Sequence, residues 1–452
     1  MGREPAGTSR PHTGPDPVTA LQAVVRIPTV SWTDEALVAP DAFQALHAEL
    51  ADRFPLLHAQ LEKHRVGVHG LMFRWAGAAS DRPLVLMAHQ DVVPVDETAP
   101  WQHPPFGAEI HDDAIWGRGT LDDKASLVGI CAAVEGLLAD GFTPAQDVWL
   151  LFGAREEVSG PDAHLAVEVF REHGVQPWLV LDEGGAIAHE AFPGVVVPLG
   201  VIGVTEKGTT TVEMVAEGRG GHSSTPATGG PTARIARAVA RLETRQLQPR
   251  LPEPTVRMFE RLAPYAPAGQ SALFRHARRL RPVLARALLA TGPEAAALAR
   301  TTMTVTTLQG SPAHNVIASR ASAAVNLRIM VGDSVASVVE HIRRAVRDPS
   351  IRLDVLDANE PSPVSPSDGP AYELIAGTIE AVFPDAVVTP YVMMAATDAR
   401  FLTSICPQVY RFTPFRMTKA QRESIHSYDE RIGVDDFVAG VGWYRRLLET
   451  LA

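Results

Sequence analysis

Short apolar runs that stop at an acid or a histidine, with helical stretches between them, limit most sharply what this chain can fold into. Run 84–88 stops at His89, run 148–152 leads to Glu156 and Glu157, and run 178–181 stops at Asp182. Between the first two, residues 124–139 place Leu127, Ile130, Cys131, Val134, Leu137 and Leu138 on one face of a helix. Strands alternating with helices predict an α/β sheet covered on both faces. In such sheets ligands gather beyond the carboxyl ends of the strands. Three runs ending in metal-ligating residue types therefore point to one shared site.

The rhythm changes near Lys207. Residues 209–215 alternate as a half-buried strand, 232–242 are helical, 302–308 and 323–329 alternate again, and 334–346 form a helix. This pattern predicts a small α+β domain, residues 207–332, inserted into a catalytic domain made of residues 17–206 and 333–452. Residues 246–300, rich in Pro, Ala and Arg, are expected to be helical. Further helices are expected at 371–382 and 435–451, and there is no internal repeat. Residues 1–16 read as a disordered lead-in, since they lack the apolar core of a signal peptide.

A chain of 452 residues is long enough for two cores. Its net charge of −11 and lack of a basic block argue against nucleic acid as a partner. The Arg-rich stretch 275–286 is interleaved with Leu and Ala and reads as a solvated helix face. No stretch of 18 apolar residues is present, so no membrane partner is expected. Cys131 and Cys406, the two cysteines, sit apart in apolar surroundings and suit buried, inert thiols. A cytoplasmic enzyme is the simplest expectation.

Five elements carry chemistry. His89-Gln-Asp91 ends a strand run, and residues two apart in an extended segment share a face, so Asp91 can orient the imidazole. The turn Trp116-Gly-Arg-Gly-Thr-Leu-Asp-Asp-Lys124 sets Asp122 and Asp123 at a helix start, as an N-cap or as a carboxylate bridging two cations. Glu156-Glu157 follows a buried run, where adjacent carboxylates repel unless a cation or shared proton sits between them. One of the pair can bind metal while the other acts as general base. Leu181-Asp-Glu-Gly-Gly185 is a second acidic pair at a strand end, and His426 lies far away in Ser-Ile-His-Ser-Tyr428. Two histidines and several carboxylates at strand ends suit a pair of zinc-like ions. Other chemistries fit poorly. No Gly-Lys-Ser/Thr follows the GRG turn, and no nucleophile elbow surrounds Ser223-Ser224.

In order along nearly the whole chain, these motifs resemble the carboxypeptidase S branch of a dinuclear zinc metallopeptidase family. That family also contains aminoacylases, succinyl-diaminopimelate desuccinylase and glutamate carboxypeptidase. The matching residues are His89-Gln-Asp-Val-Val-Pro-Val95, Trp101, Pro105-Phe106, the 116–124 turn, Glu156-Glu-Val-Ser-Gly160 and Leu181-Asp-Glu-Gly-Gly185. They continue through Gly220-Gly-His-Ser-Ser224, Asn326-Leu-Arg328, Thr397-Asp-Ala-Arg400 and Ile425-His426.

The resemblance implies a zinc-exopeptidase-like catalytic domain, its mixed sheet covered by helices, with a ferredoxin-like insertion acting as lid and dimerisation domain. It implies two divalent ions, zinc with cobalt or manganese as alternatives. His89 and Asp182 would hold one ion, His426 and Glu157 the other, and Asp122 would bridge them; Glu183 is the alternative to Asp182. Glu156 would be the general base and Asp91 the orienting acid. His222 would polarise the substrate carbonyl, from a partner subunit in some relatives. Arg328, and more weakly Asn315, would bind the substrate's free carboxylate. The implied activity is hydrolysis of a small peptide by a carboxypeptidase or dipeptidase, with an aminoacylase for N-acyl amino acids as the alternative. Met393-Met394 could line an acyl pocket or belong to the core. A non-catalytic peptide-binding relative is the minor alternative, but every matching position is filled.

Overall fold

The computed structural model describes residues 16–96 and 98–451. The lead-in predicted for residues 1–16 lies outside them except for Asp16, whose carboxylate accepts from Val18 N and Thr19 N and starts helix Pro17–Val25. The protein is a mixed α/β structure of two compact units. The first comprises the chain up to Ile202, Pro366–Val388 and the chain from Thr397 on; the second comprises Gly203–Ser365 and Thr389–Ala396.

In the first unit, strands Glu62–Val66, Gly70–Trp75, Gln146–Gly153, Ala79–His89, Leu179–Asp182 and Val409–Arg411 lie side by side in that order. The first three neighbours pair antiparallel and the last four strands run parallel. Strand Gln146–Gly153 is buried along its whole length, as expected where both faces of a sheet are covered. On one face, Val85, Met87, Trp149, Leu151 and Val180 pack with Ala163, Val167 and Phe170 of helix Asp162–Glu172. Helix Lys124–Ala139 lies on the other, backed by helix Val434–Thr450.

The single apolar face predicted for helix Lys124–Ala139 understates its burial: all but its last residue is buried, polar ones included. Those polar groups cap neighbours. Glu135 accepts from Leu56 N and Leu57 N at the start of helix Pro55–Gln60. Lys124 Nζ donates to Val24 O at 3.1 Å and Ile27 O at 2.6 Å, closing the end of helix Pro17–Val25. Both free cysteines are buried, and burial pushes the Cys406 thiol up to about 11.

The second unit has a four-stranded antiparallel sheet in the order Thr302–Gln309, Arg320–Ile329, Gly208–Glu217, Arg352–Asn359. Helices Pro231–Thr244 and Val335–Val346 pack on it through Ile235, Ala238, Leu242, Val338 and Ile342. Chain order strand–helix–strand–strand–helix–strand with this pairing is a ferredoxin-like arrangement. Ser334 starts the second helix with a capping box to Ser337.

The unit extends to Ser365, past the expected end at residue 332. Helix Val335–Val346 and strand Arg352–Asn359 thus belong to it, the strand through pairing with Gly208–Glu217 far back in the chain. Residues 246–300 contain helices Glu253–Leu262, Ala268–Arg275, Arg281–Thr291 and Pro293–Ala297. The Arg-rich stretch is broken between two of these, and Arg278 and Arg281 both pair with Glu253 rather than facing only solvent. Met393 is buried. Among the described residues no helix is long and apolar enough to cross a membrane.

Candidate metal centre

In the first unit, the carboxyl ends of three adjacent parallel strands bring the predicted acids and His89 together. His89 pairs in register with Gly153, and Leu86 with Leu181, so His89, the 156–157 turn and the 182–183 pair share one end of the sheet. His89 is buried; its Nδ1 lies 2.9 Å from the backbone O of Asp91 and 3.5 Å from the Asp91 carboxylate. A proton on Nδ1 satisfies that carbonyl and leaves Nε2 as the ligating lone pair. The Asp91 carboxylate also accepts from Glu156 N at 3.1 Å and Glu157 N at 3.2 Å. One buried acid thus fixes both the imidazole and the turn carrying the adjacent glutamates.

Asp122 stands between the two histidines, with Oδ1 2.9 Å from His89 Nε2 and Oδ2 3.0 Å from His426 Nε2. Glu157 Oε2 is 2.9 Å from the same His426 nitrogen. The turn before Asp122 requires Gly119: its φ is +86°, and a Cβ there would lie 2.7 Å from a Val92 methyl. Asp123 takes the N-cap position of helix Lys124–Ala139 but makes no capping hydrogen bond. The capping explanation for this acidic pair therefore does not hold. His426 has φ 61°, in the left-handed region, within a loop held by Arg118 Nη2 donating to Ser427 O.

The two acids at the end of strand Leu179–Asp182 point apart, as consecutive residues of an extended chain do. Asp182 Oδ2 accepts from Ala399 N at 2.8 Å, whereas Glu183 Oε1 lies 3.5 Å from His89 Nε2. Glu183 joins the cluster and Asp182 supports the backbone beside it. Gly185 permits the close packing that follows, since a Cβ there would lie 2.0 Å from Val201 O and 2.6 Å from Arg411 O.

The electrostatics are those of crowded, buried carboxylates beside two imidazoles. Burial, then the charges of Glu183, Asp398 and Asp122, push the Glu156 carboxyl well above the usual carboxylate range. Burial and the charge of Asp122 bring Glu183 up to about 8. Hydrogen bonds to Asp122 and Glu157 raise His426 to about 10. Burial opposes the charged form of His89, but hydrogen bonds to Asp122, Asp91 and Glu183 outweigh it and raise its pKa. Ligand atoms of His89, Asp122 and Glu157 lie within 4.8 Å of one another, as do those of His89, Asp123 and Glu183. The second Glu157 oxygen is buried without a hydrogen-bond partner. Two imidazoles, crowded carboxylates and an orphaned carboxylate oxygen fit a pair of divalent cations.

The remaining predicted residues lie in the second unit. His222 is exposed, on the short strand Gly221–His222, with Nδ1 2.8 Å from Ser224 Oγ. Asn315 is its close neighbour, its backbone O accepting from Ser223 N at 3.1 Å. Arg328 is exposed on strand Arg320–Ile329. It makes no ion pair among the described residues.

Asp123, offered by the sequence with Asp122 as a cap or a cation-bridging carboxylate, brings its ligand atom beside those of His89 and Glu183. Two buried residues went unnoticed in the sequence. Glu430, fully buried, accepts from Leu121 N and Asp122 N and pairs with Arg118. Lys207, buried beside Arg328 and Arg300, is brought down to about 8 by burial and those two charges. An acid four residues after His426 carried no signal of its own.

Residues 85–450 match peptidase family M20/M25/M40. The chain is 33% identical over 412 residues to the probable carboxypeptidase S-like 2 of Dictyostelium discoideum, covering 90% of this chain and 79% of that protein. It is 33% identical over 438 residues to the N-fatty-acyl-amino acid synthase/hydrolase PM20D1 of Xenopus tropicalis, covering 96% and 85%. The crystal structure of an M20 family metallo-carboxypeptidase, Sso-CP2 from Sulfolobus solfataricus, shares the fold. Its TM-score is 0.69 at 18% identity, with 96% of this chain and 98% of that one covered.

Proposed function

The chain belongs to peptidase family M20/M25/M40 and is a metallohydrolase of peptide or amide bonds; from this we propose a carboxypeptidase or dipeptidase acting on small substrates with a free carboxylate. The observation that carries the reading is Asp122, with one oxygen on each of two imidazoles, beside a glutamate whose carboxyl is held far above its usual range.

His89 and Glu183 would hold one zinc-type ion, His426 and Glu157 the other, with Asp122 shared between them. Asp182 is the alternative to Glu183, but its hydrogen bond to Ala399 N favours Glu183. When bound, such ions polarise a carbonyl and make water acidic enough to attack near neutral pH. Glu156 receives the proton of the attacking water at its carboxylate and delivers it to the departing amide nitrogen. Help of this kind is worth roughly 10²–10⁴-fold. Asp91 keeps the Glu156 backbone and the His89 ring in place throughout.

Arg328, close enough together with Arg300 to lower the Lys207 pKa, suits the substrate's carboxylate, with Asn315 a weaker candidate. His222, exposed and able to donate, suits the carbonyl oxygen as it gains charge. We assign lid and dimerisation roles to the second unit. Its two edge strands expose Leu308 and Leu356, at 64% and 61%, as an edge that pairs with another chain does.

The relatives named for N-fatty-acyl-amino acids favour a second reading, hydrolysis of N-acyl amino acids. The test is a hydrolysis screen of dipeptides against N-acyl amino acids after metal is restored to chelated protein. Faster turnover of dipeptides supports the first reading and faster turnover of N-acyl substrates the second. Glu156→Ala should abolish both while metal content stays at the wild-type level. Retained turnover would remove Glu156 as the base.

A further inference from the structure

A second group of ligating side chains in the first unit shares no residue with the centre above. Strand Glu109–His111 is the edge of a three-stranded sheet, paired antiparallel with Ala114–Trp116. Glu109 and His111, two apart, point to the same face. His103, from the preceding loop, lies over them, its ring parallel to that of His111 at a centroid distance of 3.8 Å and an angle of 11°. Glu109 Oε2 is 2.9 Å from His111 Nε2 and 3.7 Å from His103 Nδ1, and the three ligand atoms lie within 4.8 Å of one another.

Zinc bonds of about 2.0–2.2 Å in a tetrahedron put neighbouring ligand atoms about 3.3–3.6 Å apart, close to the two spacings to Glu109. Because imidazole binds through an in-plane lone pair, one of the two stacked rings turns about its Cβ–Cγ bond to share an ion with the other. Two imidazoles and a carboxylate are ligand types that a divalent ion of the zinc or copper type accepts together. The platform is already held. Trp116 packs edge-on against His103 at 4.7 Å, and its Nε1 donates to His111 O at 3.0 Å. The Arg431 guanidinium lies 4.5 Å from the far-reaching Trp116 ring system rather than being paired with Glu109.

We propose that His103, Glu109 and His111 form a third divalent-cation site, of the zinc or copper type that imidazole and carboxylate favour. It lies next to the hydrolytic centre in the covalent and hydrogen-bonding sense. Gln102, the neighbour of His103, donates from N and Nε2 to the two Asp429 oxygens at 2.8 and 2.7 Å. Asp429 in turn adjoins Glu430 and follows His426 by three residues, so an ion on His103 tethers the loop that carries His426.

The test counts zinc bound per chain by equilibrium dialysis and elemental analysis, on the full wild-type chain and on His103→Asn/His111→Asn. The expected result is one equivalent fewer on the double variant, lost from the weakest class, with the tighter classes unchanged. Equal stoichiometry and equal isotherms would overturn the site. A footprint on the wild-type chain needs no variant and settles the matter should the variant misfold. Zinc added beyond saturation of the tighter classes should protect His103 and His111 from diethyl pyrocarbonate, read by peptide mass, while exposed His276 and His314 react as before. Unchanged modification of His103 and His111 would refute the proposal.

Discussion

Glu430→Gln isolates the device that presents Asp122. Glu430 is fully buried; Oε1 accepts from Leu121 N at 2.8 Å and Asp122 N at 3.2 Å, and Oε2 accepts from Arg118 Nη1 at 2.6 Å. Arg118 also donates to Ser427 O at 2.5 Å, so the pair pins the glycine-rich turn to the loop of His426. Glutamine keeps the shape but has a single acceptor. In either amide orientation, one set of donors, the two backbone N–H groups or the guanidinium, faces an NH₂. Removing one partner of a buried pair costs ~3–5 kcal/mol, and the surviving hydrogen bonds place this change at the low end, ~3 kcal/mol. At ~1.4 kcal/mol per factor of ten, that sets a ceiling of ~100-fold on the loss of metal affinity. The assays are competition with a chromogenic chelator and thermal unfolding of the metal-free chain. Arg118→Met and the double variant complete a cycle, in which the double should cost ~0.5–3 kcal/mol less than the sum of the singles. Metal affinity and melting temperature both unchanged in Glu430→Gln, or strictly additive singles, would refute the argument.

Arg328→Ala should raise KM by ~10–100-fold for substrates with a free carboxylate, the worth of a charged hydrogen bond, and leave amidated analogues unaffected; an equal effect on both removes the clamp. In the metal-free chain His426, at about 10, and Glu183, at about 8, both carry protons at pH 7. Those protons compete with metal, so apparent affinity should rise with pH between 6 and 8, and loading at pH 7 should release protons, measured by calorimetry in buffers of different ionisation enthalpy. Affinity independent of pH contradicts this. Gly185→Ala forces a Cβ against two backbone oxygens that cannot move aside, and should destabilise the first unit by ~3 kcal/mol or more, read as a lower melting temperature. An unchanged melting temperature would show that the strands separate easily there.

What was legible in the sequence was local. Residues 148–152 of strand Gln146–Gly153 read as an apolar run because both faces of its sheet are covered, and helix Lys124–Ala139 showed an apolar face although every turn of it meets protein. Acids and a histidine at the ends of such runs break the apolar pattern, so His89, Glu156 and Glu157 stood out in the sequence. Where two adjacent residues compete, as Asp182 and Glu183 do, the answer depends on which face the strand turns to the site. That in turn depends on Ala399 N, over two hundred residues away. The extent of the second unit was hidden for a similar reason. Strand Arg352–Asn359 is an edge strand, half polar and mostly exposed, and only its register against Gly208–Glu217 assigns it to that sheet.

Glu430 shows the limit most clearly. In Tyr428-Asp-Glu-Arg431 it reads as an ordinary turn acid, and no periodicity marks it. Once Arg431 pairs with Trp116, the backbone O of Glu430 accepts from Gly117 N at 2.9 Å and its side chain is committed to the interior beside the 117–122 turn. A buried carboxylate there must find donors, and Arg118, Leu121 N and Asp122 N are the ones that this register supplies. The acids that would hold metal were therefore readable because their chemistry is written at strand ends and, for Asp122, at a helix start. The acid that positions one of them becomes readable only through a pairing of strands more than three hundred residues apart.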